Sequence, residues 1–260
     1  ANKFTGNISL AAGQTWLSTD PDFGFDDSFA SLSGNGNLNI AFSDNINLQL
    51  GMKGEAAFLD DNGFDRTNGF QVDAHVYTRN DTYAVGLFGG VGSDSKNIQP
   101  SADHYFVGVE GQYYWNNFTF GLNAGYLDSN ANAGPDDLYL NSAWFVGGEV
   151  RWYATPKVTV TANVGYIDGE AFAGAADTQT INWGLKAEYW PEEKEPLSLF
   201  VAYEGRTSEA DTSFIDPSKD THTIKIGVTF HFGVDGGSQA NDRSGPAFNT
   251  QDYGNVVVGG

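Results

Sequence analysis

Cysteine is absent from the 260 residues, methionine occurs once and proline eight times. Without thiols there is no disulfide framework and no thiolate metal site, which suits a chain that crosses an oxidising compartment without making bridges. Basic residues are scarce too: 13 Lys and Arg stand against 33 Asp and Glu, for a formal charge of −20 and a pI near 4.2. A surface of that sign repels phosphate backbones, so no nucleic-acid partner is expected. No stretch approaches the ~20 consecutive apolar residues of a spanning helix. No targeting segment opens the chain either; it starts Ala1-Asn2-Lys3-Phe4, as an exported protein would after removal of its signal. The mean hydropathy of −0.35 suits a water-soluble domain, and equally a barrel in which only alternate residues meet lipid.

Glycine (33 residues) and aromatics (14%) are abundant, and the apolar residues keep a period of two. Asp103 to Asp128 shows the pattern. Tyr105, Val107, Val109, Gly111 and Tyr113 alternate with Phe106, Gly108, Glu110, Gln112 and Tyr114; after Trp115-Asn116-Asn117 the alternation resumes with Phe118, Phe120, Leu122, Ala124 and Tyr126. Period two over this length predicts β-strands, and the short break predicts a hairpin. The same alternation recurs along the chain to give twelve expected strands between Lys3 and Phe232. A soluble sandwich would bury the apolar face against a second sheet, whereas a membrane barrel would turn it to lipid and enclose the polar face.

Two regularities favour the barrel. Connections from odd to even strands are long and rich in Asp, Gly and Asn, as in STDPDFGFDD, DDNGFDRTN and DSNANAGPDD, while most even-to-odd connections take two to four residues. Aromatics also gather at both strand ends: Trp16, Phe58, Phe70, Tyr105, Tyr126, Trp144, Tyr166, Trp183 and Tyr203 on the loop side; Phe4, Phe42, Tyr83, Tyr113, Phe118, Trp152, Tyr189 and Phe230 on the turn side. These make two girdles around an apolar band. The eight residues from Phe118 to Tyr126 span ~20 Å of height at ~3.3 Å per residue and a tilt near 40°. The expected fold is therefore all-β: an antiparallel transmembrane β-barrel of about twelve strands over residues 1–232, with short periplasmic turns, longer acidic outer loops and a Gly/Asn-rich extension over 233–260.

The alternate set of residues lines the lumen of such a barrel. Its mid-strand charges are Lys53, Arg151, Lys186 and Lys225 against Glu55, Asp73, Glu110, Glu149, Glu188 and Glu204, with His75 beside them. Acid and base recur on the same strands, which fits a bracing ion-pair network and also a mixed-charge constriction with a mild cation preference. Gly86, Gly90, Gly121, Gly125, Gly147, Gly165, Gly184 and Gly227 share that face, and their missing side chains leave volume for water or for a plug; a dry, packed interior would want bulk instead, which favours a wet, narrow lumen. In the outer loops Asp60, Asp61 and Asp65 supply hard oxygen ligands that could take Ca2+, without the full spacing of a calcium loop.

The whole pattern over residues 3–232 resembles a Gram-negative outer-membrane β-barrel of the porin-like class, and Ile224-Lys225-Ile226-Gly227-Val228-Thr229-Phe230-His231-Phe232 resembles the final-strand assembly signal of such proteins. The signal is internal, since residues 233–260 follow it. The resemblance implies residence in the cell outer membrane, contact with its lipid and lipopolysaccharide, room for a homo-oligomer, and passive diffusion of ions and small hydrophilic solutes. The alternative is a structural or adhesive surface barrel with a closed lumen. Twelve-stranded outer-membrane phospholipases need a lipid-facing Ser and His; this chain has His75, His104, His222 and His231 but no His-x-Ser element, so no enzyme is expected, nor any cofactor apart from calcium at the loops. The extension is expected to dock through Phe248, Tyr253 and Val256-Val257-Val258, into the lumen from below or onto a neighbouring protomer.

Overall fold

The computed structural model describes residues 3–20, 27–58, 66–96, 101–130, 140–171, 174, 176–192, 195–212 and 217–259. Twelve strands follow one another: β1 (Phe4–Asp20), β2 (Asp27–Ala41), β3 (Ile46–Phe58), β4 (Arg66–Arg79), β5 (Tyr83–Lys96), β6 (Ala102–Trp115), β7 (Phe118–Ser129), β8 (Leu140–Thr155), β9 (Val158–Ala171), β10 (Ala176–Tyr189), β11 (Leu197–Asp211) and β12 (Ser218–Phe232). Each pairs with its chain neighbours, and β12 pairs antiparallel with β1 from Gly6↔Phe232 to Asp20↔Ser218, closing the ring. Two short helices, α1 (Ser238–Ser244) and α2 (Gly254–Gly259), lie beyond it.

Closure excludes the sandwich, because no second sheet covers the apolar face. Leu122 is 70% exposed and Leu10 64%, whereas Gln49 on the alternate face is fully buried. Every strand contributes exposed Val, Leu, Ile or aromatic side chains to this outer belt. A soluble monomer seldom bares a contiguous apolar patch beyond a few hundred Å². The described strands pair edge to edge around the ring, and an outer face of this kind is the one that lipid would satisfy.

The turns are made by local side chains. Asn116 takes φ 49° in the two-residue β6–β7 hairpin, a backbone conformation that Asn tolerates well. At β4–β5, Oδ1 of Asn80 accepts from the amides of Thr82 (2.8 Å) and Tyr83 (2.9 Å), and at β2–β3, Oγ of Ser43 accepts from the Ile46 amide (3.1 Å).

At the loop end the strands outrun the hydrophobic pattern. β2 begins at Asp27, well before the alternation of Leu38, Ile40 and Phe42 sets in, β9 continues to Ala171, β10 starts at Ala176, and β11 runs to Asp211. There Ser, Thr, Asp and Gly occupy both faces, as in Thr207↔Asp220 and Ser208↔Lys219, so pairing continues after the apolar alternation has faded. Much of what reads as acidic loop is strand projecting above the belt.

Candidate functional site

The residues expected to line the lumen all lie on the face opposite the belt. The proof is in contacts that skip strands, which only the interior permits. Nζ of Lys225 on β12 reaches Oε2 of Glu55 on β3 (3.3 Å) and Oε2 of Glu204 on β11 (2.9 Å). His75 on β4 sits between Oδ1 of Asp73 (3.0 Å) and Oε1 of Glu110 on β6 (2.7 Å). Arg151 meets Glu149 at 2.5 Å, and Lys186 meets Glu188 at 2.6 Å. The charges thus form pairs and triads. Lys53 differs: its ammonium donates to the main-chain carbonyl of Thr250.

Thr250 belongs to the C-terminal extension, which lies against inward-facing side chains from one end of the barrel to the other. The chain turns at Gly233 (φ +83°) and Gly236 (φ +137°). At the turn end Ser238 bonds Thr159, and Asp242 accepts from Arg151, Tyr153 and Thr119. Arg243 donates to the carbonyls of Asn116 (2.7 Å) and Phe118 (2.8 Å), and Arg79 to that of Gly245 (2.6 Å). Higher up, Gln112 and Arg151 donate to the carbonyl of Ala247, and Gln49 to that of Phe248 (2.6 Å). The Phe248 ring stacks on His75 (5.9 Å) and meets Tyr77 edge-on (5.1 Å). Tyr253 lies between Phe106 and Phe145, 4.6 Å from each centroid. Near the loop end Val256 and Val257 are buried, and Arg206 donates to the Asn255 carbonyl (2.7 Å).

Filling is lopsided. Toward β5, β6, β7, β8 and β9 the interior is a dry cluster of Phe88, Phe106, Leu127, Phe145 and Ile167 with Tyr253, Val256 and Val257. The expectation that inward glycines leave volume for water is overturned here. A Cβ added at Gly125 would stand 2.5 Å from Cζ of Phe145, and one at Gly90 would stand 2.5 Å from Cζ of Phe106. In a twisted, tilted sheet the ring of a neighbouring strand leans across the glycine and takes its space. On the opposite side, Glu204 is 51% and Lys186 37% exposed although both point inward, and a narrow polar hollow is lined by Thr15, Glu55, Glu204, Arg206, Thr223, Lys225 and Asn255.

Sequence reasoning missed the uncharged and terminal members of the site: Gln49, Gln71, Gln112, Arg79, Arg206, Tyr77 and Tyr153, together with buried His104, which faces Asp94 at 3.1 Å. Parity sends each of them inward, but an amide carries no charge to draw attention and the arginines stand outside the mid-strand window. Asp60, Asp61 and Asp65 lie outside the described residues. Among the described residues no three His, Cys, Asp or Glu side chains come together as a metal site.

No family model matches the sequence, and no curated protein matches it. Solved structures do match in fold. An outer-membrane channel from Pseudomonas putida F1 superposes with a TM-score of 0.58 at 10% identity, covering 88% of this chain and 96% of that one. The fold is that of a porin-like outer-membrane barrel. The NanC porin matches likewise, with a TM-score of 0.52 at 10% identity over 85% of this chain and 98% of its own. Identities this low concern the path of the backbone. They are silent on what occupies the lumen of the present barrel.

Proposed function

We propose that the protein is an outer-membrane channel for passive diffusion of ions and small hydrophilic solutes, with a mild cation preference, and that the path runs beside the extension along the inner faces of β3, β10, β11 and β12. The observation that carries this reading is the exposure of Glu204 and Lys186 inside a closed ring. Charged groups in a low-dielectric enclosure remain ionised at modest cost where they are paired or where water reaches them, and exposure inside a closed ring leaves room for water. Along this side Glu55, Glu188 and Glu204 stand with Lys53, Lys186, Arg206 and Lys225, a mixed-charge lining, and the mild cation preference is supported by the chain's formal charge of −20. The aromatic girdles set the ring at the headgroup levels of the outer membrane, with lipid and lipopolysaccharide as its surroundings. Assembly into a homo-oligomer would bury part of the belt and leave this path intact.

The test is planar-bilayer recording of the purified protein under a salt gradient. Small, steady unitary currents with a reversal potential on the cation side are expected, and Lys225→Gln, which removes the counter-charge of Glu55 and Glu204, should move the reversal potential further that way. Absence of unitary currents from folded, inserted protein would leave the structural or adhesive barrel as the reading; the dry half of the lumen already favours a low conductance.

A further inference from the structure

The inner wall of β3, β4, β6 and β8 addresses the extension mainly through its backbone. Gln49 donates to the carbonyl of Phe248 at 2.6 Å and accepts from the amide of the same residue at 3.2 Å. Gln71 does the same one step on, donating to the Gln251 carbonyl (2.9 Å) and accepting from the Tyr253 amide (3.1 Å). Two side-chain amides therefore act as a neighbouring strand would, offering donor and acceptor to a peptide. Gln112 and Arg151 converge on the Ala247 carbonyl at 2.6 Å and 3.2 Å. Between these contacts lie two pockets for rings, one at Phe248 and one at Tyr253, five residues apart.

We infer that this groove is a peptide-binding site of which the extension is the resident ligand, and that it accepts in trans an extended peptide carrying two aromatic residues at the same spacing. Main-chain recognition makes affinity depend chiefly on extension and on the two rings; between them Thr250 adds a hydroxyl contact to His75 (3.0 Å), while Asn249 is exposed. The link to the barrel, Gly233-Val234-Asp235-Gly236-Gly237, turns the chain at two positive-φ glycines to bring the extension back against the inner wall. The inference is independent of ion passage: a barrel that conducts nothing can still bind peptide.

The experiment keeps the full chain. A specific protease site is inserted between Asp235 and Gly236, the folded protein is cut in detergent, and a fluorescent synthetic peptide of residues 238–259 is added. Saturable retention of label by the barrel, competed by unlabelled peptide and by an Asn249→Ala version, is expected. A peptide with reduced bonds at Ala247–Phe248 and Phe248–Asn249, which lacks the carbonyls read by Gln112, Arg151 and Gln49, should bind roughly 10- to 100-fold more weakly, the scale of losing hydrogen bonds that include one to a charged donor. Replacing both Phe248 and Tyr253 by Ala should abolish retention. The inference is overturned if the cut segment never exchanges, if a scrambled peptide is retained as well, or if the reduced peptide binds undiminished.

Discussion

Arg151→Met should loosen the extension by an amount that can be worked out from its contacts. Arg151 is buried and holds Glu149, Asp242 and the Ala247 carbonyl at once. Removing one partner of a buried ion pair costs ~3–5 kcal/mol. Glu149 loses its partner whether the extension is in or out, so only Asp242 and the carbonyl count toward docking. Asp242 keeps the hydroxyls of Tyr153 and Thr119, which places the loss at the lower end, ~3 kcal/mol, or roughly 100-fold in the population of the undocked state. A natural reporter stands next door. Arg243 is a trypsin site whose guanidinium is tied to the carbonyls of Asn116 and Phe118 and lies 5.2 Å from the Tyr114 ring, so cleavage requires undocking. When opening is fast relative to cutting, the cleavage rate follows the open population. Release of residues 244–260 by trypsin, followed by mass spectrometry, should accelerate about 100-fold in Arg151→Met. Asp242→Asn leaves Arg151 its Glu149 partner and should give a smaller acceleration. Equal rates in wild type and Arg151→Met, with the barrel folded in both, would refute the assignment of this contact as the clamp.

Three further outcomes are expected. Leu122→Arg, at the most exposed point of the belt, should destabilise the barrel by ~2–4 kcal/mol in lipid, read as a lowered urea midpoint in vesicles, whereas a water-facing site would tolerate the change within ~0.5 kcal/mol. Gly125→Val drives its branched side chain into the Val107 carbonyl and the Phe145 ring and should cost at least ~1–3 kcal/mol by overpacking, measured as a lower melting temperature; an unchanged value would refute the close approach of β6 and β8 at this glycine. Calcium titration tests Asp60, Asp61 and Asp65: binding should raise the melting temperature of wild type and not of a triple Asn variant, and no change in wild type would dismiss the site.

The barrel was legible because its main signal is local. Alternation of Leu122 with Asn123, or of Val109 with Glu110, needs only the period of a strand and the placement of aromatics at its ends. The projecting strand ends were hidden for a physical reason: above the belt both faces of β2, such as Ser28 and Ser31, meet polar surroundings, and the period carries no contrast there. The filling of Gly90 and Gly125 was hidden because it depends on register between strands. Phe145 reaches Gly125 only through the β7–β8 pairing that sets the two side by side. The path of the extension was the least readable feature, since what the wall grips is mostly peptide carbonyl, which every residue possesses.

The turn at Gly233 also places the extension at one mouth of the ring. β12 ends at the turn side, so residues 233–260 can enter the ring from that mouth after β1 and β12 have zipped together, with no need to thread a closed hoop. Until then Arg151, Lys53, Gln49 and Gln71 can be hydrated by water standing in the hollow cylinder. Docking in that order would be a drying step, in which peptide carbonyls take over donors that water had held.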